Sequence, residues 1–293
     1  MHDLSTLSLW HATMPTDEWT TPRPPASGDI EADVVVVGAG YTGLWTAYYL
    51  LQRDPALKVV LLEAEAVGFG ASGRNGGWCS ALLPMSLDAI AAAHSLEAAT
   101  RLQTAMHRTV GEVARVVAAE GIDCDLAHGG YVSLARNAAQ LERAAEHVQH
   151  LQSFGFDDDD YRMVDAVEAT RLCAATSVVG AAFTPHCAAI HPAKLARGLA
   201  RVVERLGATI HEQSAAVEIA PHRVRTSEAT VHARVVVRAT EAFTAAQPGM
   251  RRTTAPIYSL MIATQPLPPE FWASAGLHDR PTFADGRHMV IYG

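Results

Sequence analysis

Residues Gly38-Ala39-Gly40-Tyr41-Thr42-Gly43 carry the spacing Gly-x-Gly-x-x-Gly directly after the apolar run Asp33–Val37. Each glycine has a separate physical role. Gly38 permits a tight turn off a strand, and Gly40 leaves no Cβ in the way of an approaching pyrophosphate. Gly43 lets a helix pack close to a sheet. A helix opening at Tyr41 and Thr42 would aim free N–H groups and the positive end of its dipole at phosphate oxygens. Glu63 follows Gly43 by 20 residues, the distance at which an acid ending the second strand accepts a ribose hydroxyl. The bland alternative is a glycine-rich turn with no ligand. Strand, glycines, helix and acid together argue for a dinucleotide.

That fingerprint serves NAD and FAD alike. The next segment, Gly68-Phe69-Gly70-Ala71-Ser72-Gly73-Arg74-Asn75-Gly76-Gly77, separates them. Its five glycines cost chain entropy on folding. The cost is explained if the backbone must wrap closely around a long ligand. Arg74 would then oppose a phosphate or the charge of a reduced flavin. A mobile surface loop is the other reading of the same composition. A nicotinamide-binding domain needs no such segment at this place, so FAD is the expected cofactor and an NAD-dependent dehydrogenase the rival.

These two stretches, with Ile122-Asp123-Cys124-Asp125, Gly129-Gly130, Ile190-His191-Pro192 and Arg234–Thr240, resemble the D-amino-acid oxidase superfamily of FAD-dependent oxidoreductases. Within it the similarity is greatest to gamma-glutamylputrescine oxidoreductase-like amine oxidases. The resemblance implies an α/β architecture: a Rossmann-like FAD-binding domain interleaved with an α+β substrate domain on a mixed sheet. The expected division is an arm over 1–29, an FAD domain over 30–100 and 186–250, and a substrate domain over 101–185 and 251–293. The implied chemistry is oxidation of a C–N bond of a small amine or amino acid, with oxygen or another carrier as electron acceptor. Carried over by position, Gly38, Gly40, Tyr41, Thr42 and Gly43 line the pyrophosphate, and Glu63 holds the ribose with Ala64 beside the adenine. Ala71, Ser72, Arg74, Asn75, Gly76 and Gly77 run toward the flavin. Val217 reads the adenine through its backbone, and Ala239 and Thr240 close over the cofactor. Where the family usually has a small residue or glycine after that strand, this chain has Thr240-Glu241. The family also has a further C-terminal segment beneath the flavin, so the chain reads as truncated, with weak FAD binding and absent pocket residues as the expectation.

Other residues invite chemistry less strongly. His186, Cys187 and His191 fit no zinc spacing, since 186 and 191 would point to opposite faces of an extended segment; no metal is expected. His191 either approaches the flavin or caps a helix starting at Pro192. Tyr258 either faces the substrate pocket or lies on a sheet surface. Asp157–Asp160 reads as a solvated surface loop, with a metal site as the alternative. No Ser–His–Asp or Cys–His arrangement is supported, and no catalytic residue is named.

The elements that must position the glycine segments follow from periodicity. Asp33–Val37 and Lys58–Glu63 read as buried parallel strands around a helix Tyr41–Arg53, which Asp54-Pro55 stops. Leu96, Ala99, Leu102, Met106, Val110, Val113 and Val117 form one helical stripe, closed by Gly121. Asn137/Gln140 and Asp165/Glu168 open two further helices, and Pro192 opens a third. Strands are expected at Gly130–Ala135, Val178–Thr184, Thr209–Glu212, Ala216–Ile219, Arg223–Thr226, Arg234–Thr240, Pro256–Thr264 and Arg287–Tyr292. The polar arm before Gly28 is expected on the surface, anchored by Trp10 and Trp19. With 293 residues and 49% hydrophobic content, the chain can bury two cores. Mean hydropathy is +0.07 and no run of 18 apolar residues occurs, so no membrane span is expected. A net charge of −8 and a pI near 5.9 argue against nucleic acid. Four scattered cysteines, with no CxxC and no secretory leader, point to a cytoplasmic protein with reduced thiols.

Overall fold

Four consecutive valines, Val34–Val37, are buried on both faces of a sheet in the computed structural model of the chain, which describes residues 4–15, 21–287, 289 and 291–293. Continuous burial of this kind is what a central parallel strand shows. In chain order the strands are β1 Gly28–Val37, β2 Val59–Leu62, β3 Trp78–Ser80, β4 Tyr131–Ala135, β5 Arg162–Val164, β6 Gly180–Thr184, β7 Cys187–Ala189, β8 Thr209–His211, β9 Glu218–Ala220, β10 Arg223–Arg225, β11 Ala229–Arg238 and β12 Thr282–Asp285. The chain divides into two units, Met1–Asn75 with Glu120–Cys124 and His191–Ile262, and Gly76–Ala119 with Asp125–Ile190 and Ala263–Gly293.

The first unit is built on a six-stranded sheet of order β8-β2-β1-β11-β10-β9. β1 is parallel to both β2 and β11, with Val34 opposite Val59 and Val235, while β10 and β9 return antiparallel. One face carries a core of Val35, Val37, Val60, Leu62, Val224 and Val231. On the helices, Leu44, Leu51 and Leu199 are fully buried. The helix Tyr41–Arg53 ends where Asp54 donates its N–H to the Leu50 carbonyl. The helix Pro192–Arg205 starts at Pro192, as the fixed proline φ favours. A buried ion cluster joins three segments: Glu212 accepts from Arg197 at 2.8 Å, from Arg23 at 3.3 Å and from the Val67 N–H at 2.8 Å. Two guanidinium groups and two backbone donors, the Val67 and Arg23 N–H groups, compensate the removal of that carboxylate from water.

The second unit has a mixed sheet of order β12-β4-β6-β5 and a two-stranded ribbon of β3 with β7. β12 is parallel to β4, and β4, β6 and β5 are antiparallel. Asn137 caps the helix Ala138–Ser153 by accepting from Gln140, and Asp165 caps Ala166–Leu172 by accepting from Glu168. Among the described residues no helix is long and apolar enough to cross a membrane.

Several expectations need correction. Arg234–Thr240 is not a uniformly buried strand; β11 stops at Arg238 and Val235 is 52% exposed. Pro256–Thr264 forms no strand, and this segment, with Ile257, Tyr258 and Leu260, stands in solvent. The 256–264 run has the β-branched and aromatic content of a strand but no hydrogen-bonded neighbour among the described residues. In the 287–292 region only an isolated bridge from Tyr292 to Ala284 is described; His288 and Val290 lie outside the described residues. The stripe on the helix Leu96–Glu120 is rotated: Leu96 and Leu102 are exposed and Gln103 is buried in their place. Gln103 can occupy that position because its amide donates to the Ala81 carbonyl and the Tyr161 hydroxyl. The arm is not merely superficial, since His11 is only 1% exposed. Trp19 lies outside the described residues.

Candidate functional site

The first glycine corner links β1 to the helix Tyr41–Arg53. Gly38 has φ +107°, and a Cβ there would lie 2.4 Å from the Ala239 carbonyl oxygen. Ala239 is held in place by donating to the Val37 carbonyl at 2.8 Å. A Cβ on Gly43 would lie 2.0 Å from the Gly38 carbonyl and 3.1 Å from Val36, so close helix–strand contact demands glycine. Gly40 is the N-cap residue and offers no side-chain cap. The Tyr41 N–H instead donates to Ser72 Oγ at 2.9 Å, which brings the second glycine segment to the helix start. Thr42 is exposed at the same end.

Glu63 follows β2 immediately. One carboxylate oxygen accepts from the Ala39 N–H at 2.8 Å and the other from the Glu65 N–H at 3.1 Å. Burial pushes its carboxyl above the usual range, against the lowering effect of those two donors. The sequence assigned an acid to this strand end; it did not reveal that Ala39, inside the glycine motif, is its partner. Ala64 is exposed beside it.

The second glycine segment is a second corner, not an unstructured loop. Gly68 has φ +77° and donates to the Ala39 carbonyl at 3.2 Å. A four-residue helix, Ala71–Arg74, follows, and a Cβ on Gly73 would lie 2.1 Å from the Gly68 carbonyl. The geometry repeats that of Gly38 and Gly43, at the same five-residue separation. Arg74 lies 4.8 Å over the Phe69 ring. Asn75 ends the helix, with its amide donating to the Ala71 and Ser72 carbonyls. Gly76 and Gly77 fall in the second unit, where the Gly77 carbonyl accepts from Ile190 at 2.8 Å.

The other expected residues divide. Thr240 bonds Thr244 through their hydroxyls at 2.8 Å, and Glu241 after it has φ +43°. That is a left-handed conformation in which glycine is strain-free. Val217 precedes β9, and its N–H donates to the Arg225 carbonyl at 2.8 Å. His191 is buried and caps the helix at Pro192: Nδ1 faces the Lys194 N–H at 3.2 Å and Nε2 faces Thr13 Oγ1 at 3.0 Å. The capping role is the one the geometry displays, with both ring nitrogens engaged. Tyr258, 84% exposed and outside any strand, is not brought to these residues.

The second unit holds a grouping that the sequence did not suggest. His186 Nε2 lies 2.7 Å from Asp160 Oδ1, and His107 Nδ1 lies 3.5 Å from the same oxygen. His107 Nε2 lies 2.7 Å from the Tyr161 hydroxyl. His107, Asp160 and His186 are close enough together to invite a cation. The two imidazoles, however, stack at 3.6 Å with 6° between their planes. In-plane lone pairs on parallel rings do not converge on one point; His186 bonds the Asp160 carboxylate, and His107, stacked on it, bonds the Tyr161 hydroxyl. Burial first, and His186 second, hold the His107 imidazole down to about 4, while Asp160 opposes them. Asp160 leaves the acidic run 157–160 for this purpose, so that run is not wholly a solvated loop.

A β-α-β corner with an acid after its second strand is the arrangement of a dinucleotide-binding fold. Over residues 33–292 the chain matches the DAO family, FAD dependent oxidoreductase, and it belongs to that family. It is 33% identical over 244 residues to gamma-glutamylputrescine oxidoreductase of Escherichia coli (strain K12), covering 81% of this chain and 56% of that protein. It is 30% identical to the probable oxidoreductase OrdL of Haemophilus influenzae, covering 83% of this chain and 58% of that one. The chain thus spans somewhat more than half the length of these relatives. Among solved structures, glycine oxidase from Geobacillus kaustophilus superposes with a TM-score of 0.60 at 22% identity, over 76% of this chain and 58% of that chain. L-Proline dehydrogenase from P. horikoshii gives 0.64 at 17% identity, over 90% and 65%. These likenesses bear out the α/β fold read from the sequence and displace the NAD-dependent dehydrogenase.

Proposed function

We propose that this chain binds FAD on its first unit and takes part in the oxidation of a C–N bond of a small amine or amino acid. The observation that carries the reading is the glycine corner, with Gly38, Gly40 and Gly43 at a helix start and Glu63, just after β2, bonded directly to the Ala39 N–H within it. The residues fit the cofactor. A Cβ on Gly40 would reach within 2.8 Å of Ser72 Oγ, into the space beside the helix N-terminus that a phosphate would need. The Thr42 N–H would face that phosphate, while the Tyr41 N–H holds Ser72 of the second corner beside it. Glu63 would accept from ribose hydroxyls, with Ala64 near the adenine and Val217 reading it through a carbonyl. Ala71, Ser72, Arg74, Asn75, Gly76 and Gly77 would follow the chain of the ligand toward the flavin, and Ala239 and Thr240 would flank it. When bound, FAD supplies a two-electron acceptor for a hydride from the carbon next to nitrogen, after which the imine product hydrolyses. Substrate-facing residues fall to the second unit on this reading, and oxygen or another carrier reoxidises the cofactor. The relatives named for amines and amino acids support the substrate class.

The test has two stages. Purified protein should retain or take up flavin, with its visible absorbance, and Gly40→Val should abolish that uptake. Normal flavin in the variant would remove the corner from the site. Anaerobic mixing of the FAD-loaded chain with amines and amino acids should then bleach the flavin. FAD uptake without bleaching by any of them would reduce the chain to a cofactor-binding module.

A further inference from the structure

We propose that the segment Ser8–Thr13 is a strap that fixes the Arg74–Asn75 turn in its ligand-binding shape, with Trp10 as a positioning residue for the flavin end of the cofactor. The proposal rests on the FAD reading above.

The strap is a four-residue helix, Leu9–Ala12, far shorter than a helix that stands alone in water. Contacts with the rest of the first unit hold it. The Trp10 indole N–H donates to the Asn75 carbonyl at 2.8 Å, across 65 residues of sequence. The same ring meets His191 edge-on at 5.0 Å. Thr13 Oγ1 reaches His191 Nε2. Ser8 caps the turn, its hydroxyl 2.8 Å from His11 Nδ1, and His11 is buried beneath it. One short piece of chain is therefore tied both to the end of the Ala71–Arg74 helix and to the start of the Pro192–Arg205 helix.

The tie matters because of what Asn75 joins. Its side chain already clasps the Ala71 and Ser72 carbonyls, so the indole on its own carbonyl completes the hold. Ser72 in turn receives the Tyr41 N–H at the first glycine corner. Immediately beyond Asn75 come Gly76 and Gly77, which have no side chains to stiffen the backbone. A donor that fixes the last residue before them sets the direction in which the backbone leaves. A tryptophan is suited to this: its ring packs against His191 while its single N–H selects one acceptor.

The experiment compares wild type with Trp10→Phe, which keeps a ring against His191 and removes the donor, and with Trp272→Phe, an exposed tryptophan in the other unit, as control. Hydrogen–deuterium exchange of amides 71–77 is followed without FAD, and FAD release is followed by loss of bound-flavin absorbance after dilution. In Trp10→Phe, exchange over 71–77 and FAD release should each accelerate roughly fivefold to tenfold, the size set by losing one net hydrogen bond. The control should match wild type, and the circular dichroism of all three should agree. Unchanged exchange overturns the strap. Faster exchange with unchanged FAD release overturns the cofactor role and leaves Trp10 a structural anchor. Failure of the wild type itself to take up FAD overturns the functional reading and the cofactor role with it, and is told apart because it appears without any substitution.

Discussion

Glu63 accepts two backbone N–H groups, one from Ala39 inside the glycine motif and one from Glu65 just beyond it. Each donor fixes one carboxylate oxygen, so the lone pairs left for a ligand are aimed before it arrives. Replacing Glu63 with alanine should weaken FAD by about 1–3 kcal/mol, the usual cost of a lost charge-assisted hydrogen bond. Fluorescence titration of FAD into wild type and variant checks this; equal affinities would make Glu63 a strand-end acid that only braces the turn. At this scale the sequence was legible where a residue type has one strong reason to be present. Gly43 and Gly38 are such cases, because a backbone carbonyl stands where a Cβ would go. His191 offered two roles, and only its surroundings, Thr13 and the Lys194 N–H, decide for the cap. Tyr258 shows the opposite limit, since nothing in its type says whether a neighbouring strand exists to turn it inward.

At the scale of elements, the end of β11 carries the feature most open to improvement. Glu241 holds φ +43° one residue beyond Thr240. A side chain there costs about 1–2 kcal/mol in the left-handed region, of which glycine returns part as extra freedom in the unfolded chain. Glu241→Gly should therefore raise stability by about 0.5–1 kcal/mol, read as a higher urea midpoint with an unchanged slope. A lower midpoint would mean that the glutamate side chain stabilises the turn by more than its strain. The sequence marked this place as a departure from its family, without the backbone angle that explains the family's small residue. Long periodic elements such as Tyr41–Arg53 and Leu96–Glu120 were visible in the same way. Ala71–Arg74 was not, because one turn of helix leaves no repeat to detect. Gln103 displaced Leu102 from the core of its helix for a reason held elsewhere, in Ala81 and Tyr161.

At the scale of the whole molecule, two buried histidines contribute to the response to acid. His11 in the first unit and His107 in the second are both lowered to about 4, in each case chiefly by burial. Nearby positive charge on Arg74 and Arg197 adds to the effect at His11. The folded pKa lies below the unfolded value of 6.5, so between the two the unfolded chain binds more protons. Their contribution is intact above 6.5 and is lost as pH falls toward 4. Urea midpoints measured from pH 7 to 4.5 should decline, and His107→Gln should make that decline shallower while His128→Gln, at an exposed histidine, should not. A His107→Gln slope equal to wild type would mean that His107 titrates alike in the folded and unfolded chains.

The paired glycine corners constrain what the chain can become. At Gly43 and at Gly73 the obstacle to a side chain is a peptide carbonyl, at 2.0 and 2.1 Å, and not another side chain. Repacking cannot relieve it, since no second substitution moves a carbonyl that is itself fixed by the turn it belongs to. Substitutions at these two positions should therefore lack single-residue suppressors nearby, whereas Gly40, which faces only the Ser72 hydroxyl, keeps an escape through its neighbour. Gly43 and Gly73 are inflexible points of this sequence, as are Gly38 and Gly129, which also meet backbone atoms, and they are fixed whether or not a ligand is ever selected for.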